Sequence, residues 1–87
     1  MTLKQGISAL KAGNFEAAIS LLSEAVKSDP NNGSIYYSLA QALKNDGRKG
    51  EAIIQATRAL ARDHTFLPAA RLLSYLLSYL RLRNHCG

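Results

Sequence analysis

Apolar residues recur along this chain at steps of three and four, in five blocks separated by short polar or glycine-bearing breaks. Leu3, Ile7 and Leu10 predict a first helix from about Thr2 to Ala12, and Thr2 and Gln5 have the spacing of a capping box. Gly13 ends that helix, and Asn14 is placed to cap the next. Ala18, Leu22, Ala25 and Val26, widened by Phe15, Ile19 and Leu21, predict a second helix over Phe15–Ser28. It stops at Asp29-Pro30, because a residue before proline is driven out of the α region. The turn Asn31-Asn32-Gly33-Ser34 follows, with Ser34 as the expected cap. Ile35, Tyr36, Leu39, Ala40, Ala42 and Leu43 predict a third helix over Ile35–Asn45, closed by Asp46-Gly47. Ala52, Ile53, Ala56, Ala59 and Leu60 predict a fourth over Lys49–Arg62. After Asp63-His64-Thr65, with Thr65 as the expected cap, a fifth runs over about Phe66–Arg83. Its Pro68 falls in the first turn, where the missing N–H has no helical partner in any case. The chain reads as all-α.

The blocks also repeat. Gly13–Pro30 has the same layout as Gly47–His64, 34 residues on: Gly13 meets Gly47, Ala18 meets Ala52, Ile19 meets Ile53, Ala25 meets Ala59 and Asp29 meets Asp63. A fixed period of this size, carried by small and apolar residues at helical spacing, marks a stacked helical repeat. Gly6 sits inside the first helix, where glycine costs roughly 1 kcal/mol unless a close backbone approach offsets it. It is therefore expected at a helix crossing. At the same step of 34, Ala70, Leu73, Ser74 and Leu77 align with Tyr36, Leu39, Ala40 and Leu43, so that face of the fifth helix is expected to pack on the fourth. A second stripe, Leu72, Tyr75, Leu76, Tyr79 and Leu82, is then left over. A solenoid end needs a polar outer face, so the expectation is that Leu72, Leu76, Tyr79 and Leu82 serve self-association or the stacking of a further helix.

The motif Tyr36-x-x-Leu39-Ala40-x-x-Leu43, followed by Ala52, Ala56 and Ala59, resembles the tetratricopeptide repeat, or TPR. An earlier copy supplies Gly6, Gly13, Ala18, Leu22, Ala25 and Pro30, with Thr2 where the opening aromatic belongs. His64 replaces the second closing proline, and Ala70-x-x-Leu73-Ser74-x-x-Leu77 begins a third copy. The resemblance implies a right-handed superhelix built from one repeat at about 2–30, a second at about 34–64 and a capping helix at about 66–83, all in one domain over 1–87. It also implies a concave groove lined by first helices and holding a peptide or partner helix. By register the groove residues are Ile7, Tyr37, Ser38, Gln41, Lys44, Arg71 and Tyr75, with Leu3 and Ser78 beside them. The family's carboxylate clamp for chaperone tails maps onto Leu3, Ile7, Ser38, Pro68 and Leu72. None of these is basic and none is Asn, so that mode of recognition is not expected.

Composition narrows the function further. With 87 residues and no tryptophan, the interior must come mainly from Leu, Ile, Val and Ala. The formal net charge is +5, and the excess lies wholly in residues 44–87, where Lys44, Arg48, Lys49, Arg58, Arg62, Arg71, Arg81 and Arg83 face Asp46, Glu51 and Asp63. Nucleic acid or an anionic membrane is therefore the lesser alternative target, through a charge-driven and salt-sensitive contact. The amino terminus lacks the apolar core of a secretory signal, and the run Leu72–Leu80 is too short to span a bilayer. A lone Cys86 suits a reducing compartment, and a cytoplasmic location is expected. His64 falls in a turn, and His85 with Cys86 in the tail makes too few ligands for structural zinc. Glu16, Glu24 and Glu51 lie beside basic residues on outward faces. Neither catalysis nor a cofactor or metal is expected. The sequence points to a non-catalytic protein-interaction scaffold, with a docking module of a larger enzyme as the alternative.

Overall fold

The computed structural model describes residues 2–85, and the side chains of residues 3–82. Five helices follow one another, α1 (Thr2–Lys11), α2 (Phe15–Ser28), α3 (Gly33–Asn45), α4 (Lys49–Arg62) and α5 (Leu67–His85), with no strand among the described residues. The bounds of α2 and α4 match the periodicity. α3 begins two residues before its expected start because Asn32 caps it in place of Ser34: the Asn32 side-chain oxygen accepts the Ser34 N–H at 3.0 Å. Thr65 does not cap α5 either. Its N–H and hydroxyl both donate to Asp63 Oδ1, at 3.1 and 2.7 Å, which ties 63–65 into a turn of its own. Asn14 does cap α2, accepting the Ala17 N–H at 3.3 Å. Cys86 and the side chains of Thr2, Arg83 and His85 lie outside the described set.

Two kinds of turn alternate, and each recurs at the same step. α1 and α3 end in Schellman motifs. Asn14 N–H reaches Ala9 C=O at 2.9 Å and Gly13 N–H reaches Leu10 C=O at 3.1 Å; Arg48 to Leu43 (2.8 Å) and Gly47 to Lys44 (3.1 Å) repeat the pair. The motif needs a left-handed residue, and Gly13 and Gly47 supply it with φ of +84° and +86°. α2 and α4 end on Asp29 and Asp63, with no positive φ. There the chain turns through Asn32 N–H to Asp29 C=O (3.2 Å) and Phe66 N–H to Asp63 C=O (3.1 Å).

Each helix packs on the next in sequence, and the odd-numbered helices also touch along one edge, α1 to α3 and α3 to α5. The body measures 43 × 27 × 17 Å, so its thinnest dimension spans about two helices at roughly 8–10 Å between axes. Such a thin body leaves little depth for bulky side chains. More than half of its buried apolar residues are accordingly alanines: Ala18, Ala25, Ala40, Ala42, Ala52, Ala56, Ala59 and Ala69. At the α1–α2 crossing a Cβ built on Gly6 would lie 2.7 Å from both Cγ and Cδ2 of the fully buried Leu22. The close approach expected of Gly6 is present.

That crossing also corrects the reading of α5. The Gly6 side of a first helix is the side it turns to its own second helix, and by the repeat Ala40 and Ser74 share that register. α3 is buried on both sides, through Tyr36, Leu39, Ala40 and Leu43 and also through Ile35, Ser38 and Ala42. α5 buries Ala69, Leu72 and Leu76, which stand 34 residues after Ile35, Ser38 and Ala42. It therefore leans back on the preceding hairpin with its other side. Leu72 (8% exposed) and Leu76 (0%) belong to the core and are not an outward association stripe, whereas Tyr79 is half-buried and Leu82 exposed. Of the face expected to pack on α4, Leu73 reaches the core at its edge and the rest is open. Ala70 and Leu73 are half-buried, Ser74 is exposed and Leu77 is 48% exposed.

Candidate functional site

Long and aromatic side chains of α3 and α5 face one another. A cleft of about 330 Å³ opens there, lined by Tyr37, Gln41, Lys44, Pro68, Arg71, Leu72 and Tyr75. Five of the seven groove residues expected from the repeat register line it: Tyr37, Gln41, Lys44, Arg71 and Tyr75. They converge because Tyr37, Gln41 and Lys44 follow steps of four and three on α3, and Arg71 and Tyr75 follow a step of four on α5. The other two stand elsewhere. Ser38 turns inward and is only 8% exposed, one position round the helix from the cleft, and Ile7 is half-buried on α1 outside the lining.

The aromatic wall is held in place. The Tyr37 hydroxyl accepts a hydrogen bond from Gln41 Nε2 at 3.0 Å, and its ring meets Phe66 edge to face with centroids 5.3 Å apart. Opposite, Lys44 Nζ lies 5.4 Å from the centre of the Tyr75 ring, and one turn further along α5 Lys49 Nζ lies 4.6 Å from that of Tyr79. Each cation–π contact contributes about 0.5–1 kcal/mol at an exposed site and leaves the ammonium accessible to an anion. The only ion pair among the described residues joins Arg48 to Asp46 at 3.2 Å. Lys44, Lys49 and Arg71 thus carry unneutralised charge, and no acidic side chain lines the cleft. Its chemistry is basic and aromatic over an apolar floor formed by Leu72 and Pro68.

Pro68 and Leu72 were not among the groove residues expected from sequence. Both fall on positions of the family's carboxylate clamp, but neither has the clamp's chemistry, and periodicity places Leu72 on the outward stripe. The Lys49–Tyr79 contact has no signal in the linear pattern, since the two residues lie on helices whose relative depth only packing sets.

A second hollow of about 310 Å³ lies at the far end of the helices, lined by Asn31, Asn32, Gly33, Ser34, Arg62, Asp63 and Phe66. It is a seam between successive turns. Pro30 C=O accepts from the Tyr36 hydroxyl at 2.8 Å and from Arg62 Nε at 3.0 Å, and Arg62 lies 5.4 Å from the Tyr36 ring centre. The Thr65 hydroxyl and N–H hold the Asp63 carboxyl below its ordinary range, aided by the nearby His64. These contacts close the repeat junction and offer no reactive group. Among the described residues no group of three or more His, Cys, Asp or Glu side chains could hold a metal ion, and no helix is long and apolar enough to cross a membrane.

No curated protein matches the chain. A family model described as the tetratricopeptide repeat matches residues 3–68, more than half of the sequence, and this match spans both Schellman turns and the Gly6–Leu22 crossing. The family is typically a non-catalytic scaffold whose repeats mediate protein–protein interaction. With the helical pairs, the recurring turns and the matched residues in agreement, the chain belongs to the tetratricopeptide-repeat family.

Proposed function

We propose that the chain is a docking module that holds an acidic segment of a partner protein in the cleft between α3 and α5. The observation that carries this reading is the basic and aromatic lining: Lys44 and Arg71 without carboxylate partners, beside Tyr37 and Tyr75. Aromatic rings provide contact area at low entropic cost, and two fixed cations favour carboxylates while opposing basic segments. The partially exposed Ile7 on α1 extends the same surface toward the amino-terminal end. A peptide crossing the odd-numbered helices therefore meets an apolar end first and a basic end last. Lys49 beside Tyr79 prolongs the basic end.

The test is selection from a displayed random-peptide library, followed by amide-shift mapping of the enriched peptides. Enriched sequences are expected to carry acids beside apolar anchors and to shift Gln41, Lys44, Arg71 and Tyr75. Arg71→Glu is expected to weaken them about tenfold, as loss and reversal of one contacting charge implies. Lys11→Glu, on the exposed end of α1, is expected to leave binding intact. Peptides indifferent to Arg71→Glu would overturn the reading. So would duplex DNA that displaces them at moderate salt, because phosphate binding of a merely basic patch fades as salt rises.

A further inference from the structure

We propose that the outer face of α5 docks one amphipathic helix of a partner protein, one that carries small apolar residues along its contact stripe and carboxylates on its flanks. The face is Ala70, Ser74 and Leu77, turned away from the buried Leu76, with Arg81 one turn beyond Leu77 and the half-buried Leu73 at its inner margin, where it packs against the core. This surface is separate from the cleft, whose α5 members are Pro68, Arg71, Leu72 and Tyr75.

The repeat itself indicates what covers such a face. Gly6 on α1 meets the Leu22 side chain of α2, and Ala40 occupies the same register on α3. Both positions are small and both are buried against a neighbouring helix. Ser74 is the third member of that series, again small, and is exposed. The helices that follow α1 and α3 bury the triads Ala18, Leu22, Ala25 and Ala52, Ala56, Ala59, each spaced i, i+4, i+7. A helix with that triad is the complement of Ala70, Leu73, Ser74 and Leu77. An extended peptide would leave the small Ser74 step unfilled.

Charge separates a partner helix from a second copy. α5 holds no Asp or Glu over its whole length, while Arg71 and Arg81 border or continue the open face. Two copies paired through α5 would bring these like charges together, at a cost. A helix with acidic flanks turns the same charges into attraction. α2 carries such a triad, with Glu16 and Glu24 exposed on its outward side, and so supplies a probe.

The experiment titrates the isotope-labelled chain with an acetylated, amidated peptide of sequence FEAAISLLSEAVKS. Saturable amide shifts are expected at Leu73, Ser74 and Leu77, with the cleft residues Gln41 and Lys44 unmoved. Leu77→Glu, at a half-exposed site that tolerates a polar side chain, is expected to lower affinity at least about tenfold, since it replaces a leucine anchor with a charge. Its helix content by circular dichroism is expected to equal that of the parent. A peptide with both glutamates replaced by lysine is expected to bind several-fold more weakly. Ile54→Glu, on the exposed side of α4, is the control and is expected to change nothing. The proposal is overturned by shifts on α1, which would mean strand exchange with α2, by shifts confined to the cleft, or by the absence of saturable shifts at millimolar peptide. A chain mass that doubles with concentration and reverts in Leu77→Glu would also overturn it, assigning the face to a second copy. Because amide shifts at Gln41 and Lys44 read the cleft and Leu77→Glu reads the α5 face, either proposal can fail without the other.

Discussion

Replacing Gly6 by alanine sets two known effects against each other at a single site. Alanine favours a helix interior over glycine by about 1 kcal/mol, so on an open surface the change would stabilise. At this position the new Cβ lies 2.7 Å from Cγ and Cδ2 of Leu22, well inside contact distance. Leu22 is fully buried, and Cγ is the branch point of its side chain, so a rotation of the tip alone does not relieve the clash. Overpacking of this kind costs about 1–3 kcal/mol, and Gly6→Ala is expected to destabilise by about 1–2 kcal/mol net. Leu22→Ala removes the obstacle at a cavity cost of about 2–5 kcal/mol. In that background Gly6→Ala fills part of the void and keeps its helical advantage, so it is expected to stabilise by about 1 kcal/mol. The two residues should therefore couple by roughly 2–3 kcal/mol, far from additive. The second hairpin supports the sign, because its corresponding positions are Ala40 and Ala56, the pair the double variant creates. Urea unfolding of the four proteins, followed by far-ultraviolet circular dichroism, gives the cycle directly if the m-values agree. A neutral or stabilising Gly6→Ala in the parent chain, or additive effects, would refute the packing argument.

Gly47→Ala forces an alanine to φ +86° and is expected to lower stability by about 1 kcal/mol, whereas Gly50→Ala, helical and in open space, is expected to raise it by up to about 1 kcal/mol; thermal melts of both check this. Gln55 buries its side-chain oxygen without a partner, and Leu21 stands at the same register in the first hairpin, so Gln55→Leu is expected to stabilise by about 1 kcal/mol in urea unfolding. Asp63 titrates below its usual 3.8 because Thr65 donates to it, so its contribution to stability is present above that value and fades as pH falls through the lowered one. Thr65→Val removes the hydroxyl and keeps the N–H, so the Asp63 carboxyl midpoint in a carbon-detected titration is expected to move part of the way back up.

Much of this architecture is legible in the linear pattern, for a local reason. The bounds of α2 and α4 follow from apolar periodicity and the Asp that ends each helix, and Gly13 and Gly47 mark turns that need a left-handed residue. These are interactions within a few residues, and they recur because the repeat recurs. The caps at Asn32 and near Thr65 differ from the expectation because each expected cap residue is itself held by an earlier side chain: Asn32 accepts the Ser34 N–H, and Asp63 accepts the N–H and hydroxyl of Thr65. Geometry, more than residue type, decided between them.

Most of the cleft residues could be read as well, since Tyr37, Gln41 and Lys44 share a helix face whatever packs around it. Which face of α5 turns inward could not be. Its apolar residues form two adjoining stripes, Leu72 with Leu76 and Leu73 with Leu77, and periodicity alone ranks neither first. Register supplied the correspondence with α3, but α3 is covered on both sides and so does not say which side a final helix keeps. That choice is made by contact with the helices before it, which α5 meets through Ala69, Leu72 and Leu76. Short-range backbone and side-chain preferences wrote the helices, the turns and the repeat into the chain. The burial of one stripe and the exposure of the other arise only when the helices stack, because a helix with two apolar sides has no preference until one of them meets a neighbour.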